Sequence, residues 1–363
     1  MTSKERMLTA LNNSKPDRLP VTIHQWQPYH LKKYMGGISD IKASMECGLD
    51  ASINFFEVEE PQSKNWRVSS KIERMDGGIM TRFTIETPEG VLTASEGSND
   101  MTTWVMEHLI KNDDDIFLLK YRPIPLINRE KAIKVYDELG DGGILRTFIT
   151  GKQGGCWQDA CEYCGVEKLI MATFDNPDWV QEFLEILLRQ KLSYIEQNLP
   201  GLPFDLIETG GGAASNTVIS PAIHRQFCLP FDMRMHDALH NLGYKCVYHT
   251  CGGMTKILDS IKSNHCDVSE TLSPSGVGGD IHTDDDAKLI YDELHPQLAL
   301  IGGMDQNNIL GYGTTEQICN EVGRLFEIYG RDGGYVMSAS DHFFDVSVEN
   351  LKAYANAARQ FVY

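Results

Sequence analysis

From about residue 144 the chain repeats one beat: a short apolar run bounded by turn residues, then a longer amphipathic stretch. Residues 144–149, 204–208, 245–249, 266–270, 298–301 and 334–338 read as strands. Helix signals lie between them. Asn176-Pro177 sets an N-cap before a proline at the first helical position, and Ser220-Pro221 repeats the device. Two earlier apolar runs, 21–24 and 51–56, bring the strand candidates to eight. Alternating β and α predicts a parallel sheet, and eight such units predict an α/β fold closed as a (β/α)8 TIM barrel. The alternative is an open doubly wound sheet. That fold wants a glycine phosphate-binding fingerprint after its first strand, and none follows His24.

Two elaborations stand outside the beat. Thr2-Ser3-Lys4-Glu5 reads as a capping box that opens an N-terminal helical extension through about Asn12. Residues 79–106 alternate around Thr87-Pro88-Glu89-Gly90 and read as an inserted hairpin. No internal repeat or linker is evident, so residues 1–363 are expected to form one domain.

Composition narrows the functional classes. The formal net charge of −18 disfavours nucleic acid and anionic membranes, which demand clustered Lys and Arg. No run of eighteen apolar residues exists, so no transmembrane helix is expected. The first residues lack an apolar core, so no secretory signal is expected. Nine scattered cysteines suit reduced thiols in a cytoplasmic protein.

A barrel carries its chemistry at the C-terminal ends of its strands. Those ends are His24, Phe55 to Glu57, Thr150, Glu208, His249 with Cys251, Glu270, Gly302 to Asp305, and Ser338 to His342. His249-Thr250-Cys251-Gly252-Gly253 is the sharpest element. Residues i and i+2 of an extended segment point the same way, so an imidazole and a thiolate can meet one ion. Zinc accepts both donors. The bland alternative is a buried His and a buried Cys in a strand. Glu208, followed by Gly210-Gly211-Gly212, is a candidate ligand or acid/base, and His342 is a candidate ligand past the last strand. Taken alone, each reads first as an ordinary loop residue.

Other motifs read more simply. Cys161 and Cys164 form a single CxxC within a helical pattern and are expected to be structural. His236 and His240 fall at i and i+4 and are expected on an outer helix face. Asp284-Asp285-Asp286 is expected to open a helix. Tyr29, Phe55, Phe56, Trp157, Phe343 and Phe344 are candidates for lining the mouth or filling the core.

The chain resembles the uroporphyrinogen decarboxylase superfamily. The resemblance is carried by Arg6-Met7-Leu8 through Asp17-Arg18-Leu19-Pro20, by Thr87-Pro88-Glu89-Gly90, by Ser220-Pro221, by His249-Thr250-Cys251-Gly252-Gly253 and by Gly302-Gly303-Met304-Asp305. The decarboxylases of that superfamily are metal-free and carry an arginine-rich N-terminal motif. The matching stretch here, residues 25–34, contains no Arg. The other branch holds zinc methyltransferases that work with corrinoid proteins, marked by an HxCG element, a later Cys or His and an upstream acid. His249 and Cys251 match that element. Glu208 matches the acid, and His342 is the best substitute for a later Cys that this chain lacks. Gly210-Gly211-Gly212 and Thr150-Gly151 look more like the ether-demethylating relatives. The resemblance implies a zinc methyltransferase acting on a small methylated substrate, such as an aryl methyl ether, with a corrinoid protein as partner. It implies Glu208, His249 and Cys251 as catalytic, and His249, Cys251, His342 and Glu208 as zinc ligands. A tetrapyrrole decarboxylase is the runner-up.

Overall fold

A computed structural model describes residues 1–150 and 153–363. Seven of the expected runs form one parallel sheet: β1 (Ala51–Asn54), β6 (Gly143–Phe148), β7 (Leu206–Gly210), β8 (Cys246–His249), β9 (Val268–Thr271), β10 (Ala299–Met304) and β11 (Tyr335–Ala339), adjacent in that order. The strands are buried nearly throughout, as expected of a parallel sheet covered on both faces.

The eighth run, 21–24, is not a regular strand. It makes one parallel bridge, Val21 to Met337. Thr22 N–H donates to Met337 O (2.8 Å), Met337 N–H to Pro20 O (3.0 Å), and Asp50 N–H to Val21 O (2.8 Å). Pro20 has no N–H to give, which shortens the pairing. The segment still reaches both edges of the curled sheet, from β11 to the residue before β1.

Side chains inside the curl fall into two layers, because alternate residues of a strand share a face. The lower layer is apolar: Ile144, Leu206, Val247, Val268, Ala299 and Val336 pack against Met7, Ala10 and Leu11 of α1 (Ser3–Leu11). The helix is held by its capping box, with Glu5 N–H donating to Thr2 Oγ1 (3.2 Å) and Thr2 N–H to Glu5 Oε2 (2.8 Å). Two residues further along four of these strands stand Arg146, Glu208, His249 and Glu270. The lower end of the curl is therefore stoppered by apolar contact, and the charged layer lies above it.

Asp50, fully buried before β1, fixes this stopper. It accepts from Arg6 of the helix (2.7 Å), from Arg18 (3.0 Å) and from Val21 N–H (3.0 Å).

Between β1 and β6 lies an antiparallel sheet of β2 (Arg67–Met75), β3 (Gly78–Glu86), β4 (Val91–Ser98) and β5 (Thr103–Glu107). The sequence reading placed a hairpin at 79–106; the sheet begins twelve residues earlier, at Arg67. Met75 pairs with Gly78, so Asp76-Gly77 is a two-residue turn, with Gly77 at φ +78°. Asp-Gly flanked by alternating residues is a strong hairpin signal. It was masked because β2 is mostly exposed and polar.

Helix signals elsewhere hold. Asn176 caps Pro177–Asn198, and Thr283 caps Asp284–Leu294. No helix among the described residues is long and apolar enough to cross a membrane.

Two stability outcomes follow. Asp50→Ala leaves two guanidinium groups without their buried partner and is expected to cost about 3–5 kcal/mol in urea unfolding. Gly77→Ala meets no atom within 4 Å, so only its positive φ is penalised; the expected loss is about 1 kcal/mol.

Candidate metal centre and its buried charge cluster

The charged layer is built by register. Val247 of β8 lies opposite Glu208 of β7, and His249 lies opposite Glu270 of β9. Arg146 reaches across from β6. Its Nη2 donates to Glu208 Oε2 (3.1 Å) and to both oxygens of Glu270 (2.7 and 2.9 Å). His249 Nδ1 donates to Glu270 Oε1 (3.1 Å) and stands 3.7 Å from Glu208 Oε1. His24 closes the group, its ring centroid 5.0 Å from that of His249. Donor atoms of His24, Glu208, His249 and Glu270 all lie within 4.8 Å of one another, and all four residues are buried.

One arginine shared by two buried carboxylates leaves the cluster short of positive charge. Burial pushes the Glu208 carboxyl up to about 7. Burial acts the same way on Glu270, but Arg146 and His249 outweigh it and hold that carboxyl below the usual range. At His249 burial disfavours the charged ring, yet Cys251 and Glu208 raise it well above an ordinary histidine. His24 is pushed down to about 4 by burial and stays neutral near pH 7.

Cys251 approaches His249 from beyond the strand end. Its half-buried thiol favours the charged His249 ring and lies 3.6 Å from Gln153 Nε2, which is itself 3.4 Å from His249 Nε2. The glycine run makes this approach feasible. A Cβ on Gly212 would stand 2.7 Å from Cys251 Sγ, and Gly212 N–H donates to Gln153 Oε1 (3.1 Å). Gly252, at φ +140°, would drive a Cβ to 2.6 Å from Ser215 Oγ.

Glu208 and His249 are thus brought together, with Cys251 against the imidazole. His342 is not in the cluster. It is 43% exposed at the side chain, pairs with Asp341 (2.8 Å) and sets its ring against Phe344. Asp341, one residue earlier, is the group whose charge reaches His24 and Glu208. Thr150 lies two residues past the end of β6, while its neighbour Gly151 lies outside the described residues. Of the aromatic candidates, Phe55, Trp157 and Phe343 are core residues, whereas Phe56 is 38% exposed. Cys161 and Cys164 are buried with their thiols pushed up by burial, which suits a structural role.

Three members of the cluster were given no role from sequence: His24, Glu270 and Arg146. The first two had been placed at strand ends. Arg146 carried a usable signal, a charge inside an apolar run, which must be paired if buried.

The model of the family described as uroporphyrinogen decarboxylase (URO-D) matches residues 131–361. Among solved structures, the chain is similar to a methyltransferase from Methanosarcina mazei (TM-score 0.71, 17% identity, 99% of each chain covered). It also matches a B12-independent methionine synthase from Shewanella sp. W3-18-1 (TM-score 0.44, 10% identity, 95% of this chain and 92% of that one). At those identities the first shows shared fold, and the second is too distant to argue from. No curated protein sequence matches. With nearly two thirds of its length matched and a curled parallel sheet of the expected kind, the chain belongs to the uroporphyrinogen decarboxylase (URO-D) family.

Proposed function

We propose that this protein is a zinc-dependent methyltransferase that moves a methyl group between a small methylated substrate, such as an aryl methyl ether, and the corrinoid of a partner protein. The reading takes the bridged sheet as a (β/α)8 barrel and the cytoplasm as the compartment, which suits nine free cysteines. The observation that carries it is the His249–Cys251 pair: an imidazole whose Nδ1–H donates to Glu270 Oε1 (3.1 Å), and a half-buried thiol that shares the Gln153 amide with that ring.

This donor set fits zinc. The ion accepts imidazole nitrogen and thiolate sulfur, and a ligating histidine characteristically gives its other N–H to a carboxylate. His249 and Cys251 would hold it, and Glu208 and His24 are the buried groups able to supply the third donor. His342, the ligand that the resemblance implies past the last strand, pairs with Asp341 here (2.8 Å) and stands outside this set. When bound, zinc supplies Lewis acidity that stabilises negative charge on the oxygen or sulfur losing its methyl group. Glu270 orients the imidazole, and Arg146 keeps Glu270 ionised for that task. The decarboxylase alternative needs arginines free to grip substrate carboxylates, and Arg146 is already committed to Glu208 and Glu270.

Elemental analysis of the purified chain is expected to find zinc, with Cys251→Ala and His249→Ala losing it and His342→Ala retaining it. Zinc content unchanged in Cys251→Ala would overturn the ligand assignment. Transfer itself is read by mixing the protein with Co(I) cobalamin and an aryl methyl ether. Methylcobalamin absorbance is expected to appear with the parent chain and to vanish in Cys251→Ala. Decarboxylation of a porphyrinogen by zinc-free protein would replace the reading with the older chemistry of the family.

A further inference from the structure

A second group of mixed donors lies at the opposite, N-terminal end of the strands. Cys246 is the first residue of β8, and its side chain points outward, since Val247 and His249 take the interior face. Asp267 immediately precedes β9. His240 lies near the end of α2 (Leu229–Asn241), the helix that packs over β8. Three elements that are far from the Cys251 rim thus converge on one spot.

The distances are those of a ligand set. His240 Nε2 stands 2.9 Å from Asp267 Oδ2, and Cys246 Sγ lies 3.6 Å from each. Donors held tetrahedrally by zinc at its usual bond lengths are separated by about 3.3–3.6 Å. Shifts of a few tenths of an ångström would suffice. The remaining contacts leave this face of the carboxylate available. Asp267 Oδ2 also accepts from Cys246 N–H (2.8 Å), and Lys245 Nζ approaches the other oxygen, Oδ1, at 3.6 Å. Cys246 is fully buried, whereas the His240 and Asp267 side chains are 38% and 24% exposed. An ion can therefore enter from solvent and keep one solvent position.

We propose that His240, Cys246 and Asp267 form a second divalent-metal site, selective for zinc-like ions. Nitrogen, sulfur and one carboxylate oxygen suit zinc or cobalt(II) rather than magnesium or calcium, which prefer oxygen alone. The ion staples the end of α2 to the starts of β8 and β9. Binding releases the Cys246 thiol proton to solvent, so occupancy falls with falling pH. The site shares no residue with the His249–Cys251 pair and stands or falls separately.

Full-length Cys251→Ala, stripped with chelator and titrated with cobalt(II), isolates this site. One cobalt per chain and a thiolate-to-cobalt absorption band are expected. Adding His240→Ala, a partly exposed position, should remove both while circular dichroism stays native; Cys246→Ser should do the same. No bound cobalt in folded Cys251→Ala, or equal cobalt with and without His240→Ala, would overturn the proposal. Full metal content in Cys251→Ala that His240→Ala cannot reduce would count against both sites at once.

Discussion

One guanidinium governs the interior of this sheet. Arg146 is the buried cation on which Glu208 and Glu270 both lean. Two desolvated carboxylates that close would repel one another and expel each other's charge. With Arg146 between them, Glu270 stays ionised and can fix the His249 ring, while burial still holds the Glu208 carboxyl up at about 7. The direction of the imidazole, with its far nitrogen toward the Gln153 amide, descends from this one contact. Such an arrangement is tolerable only where water is kept out from below. The apolar layer of Ile144, Leu206, Val247 and Val268, stoppered by Met7, Ala10 and Leu11, supplies that floor.

Much of this was legible from sequence, and for a physical reason. Strands buried on both faces must be apolar runs, and helices between them carry cap signals that are local in the chain. Both survive translation into structure. The inward direction of His249 was legible because the two-residue period of a strand sets side-chain direction without reference to anything distant; Cys251 lies past the end of β8, where that period no longer holds. Glu208 was legible as an acid in an apolar run, although it stands at the middle of β7 rather than at its end.

What failed to show was whatever depends on distance in the chain. Arg146 and Glu270 are 124 residues apart, and their contact is a product of strand order and register. His342 shows the limit differently. Past the end of β11 the chain is irregular, the two-residue period no longer applies, and His342 turns to pair with Asp341, whose own charge reaches His24. His236 and His240 show it again. Both were expected on an outer face, but His236 is buried against Thr209 and Asn264, and only His240 reaches solvent. Helical spacing gave the pair one face and could not say how deeply that face is covered.

The short bridge at Val21 has a bearing on how the molecule is assembled. Its partner is Met337, and nearby Leu19 and Arg18 pair with Phe361 and Val362. During synthesis these pairings therefore wait until Met337 and Phe361 have emerged, long after the Asp50 contacts of the same segment can form. Contacts of such sequence separation form late and slowly. Until then the apolar residues of α1 lack Val336 of β11, the last strand of the curled sheet that they pack against.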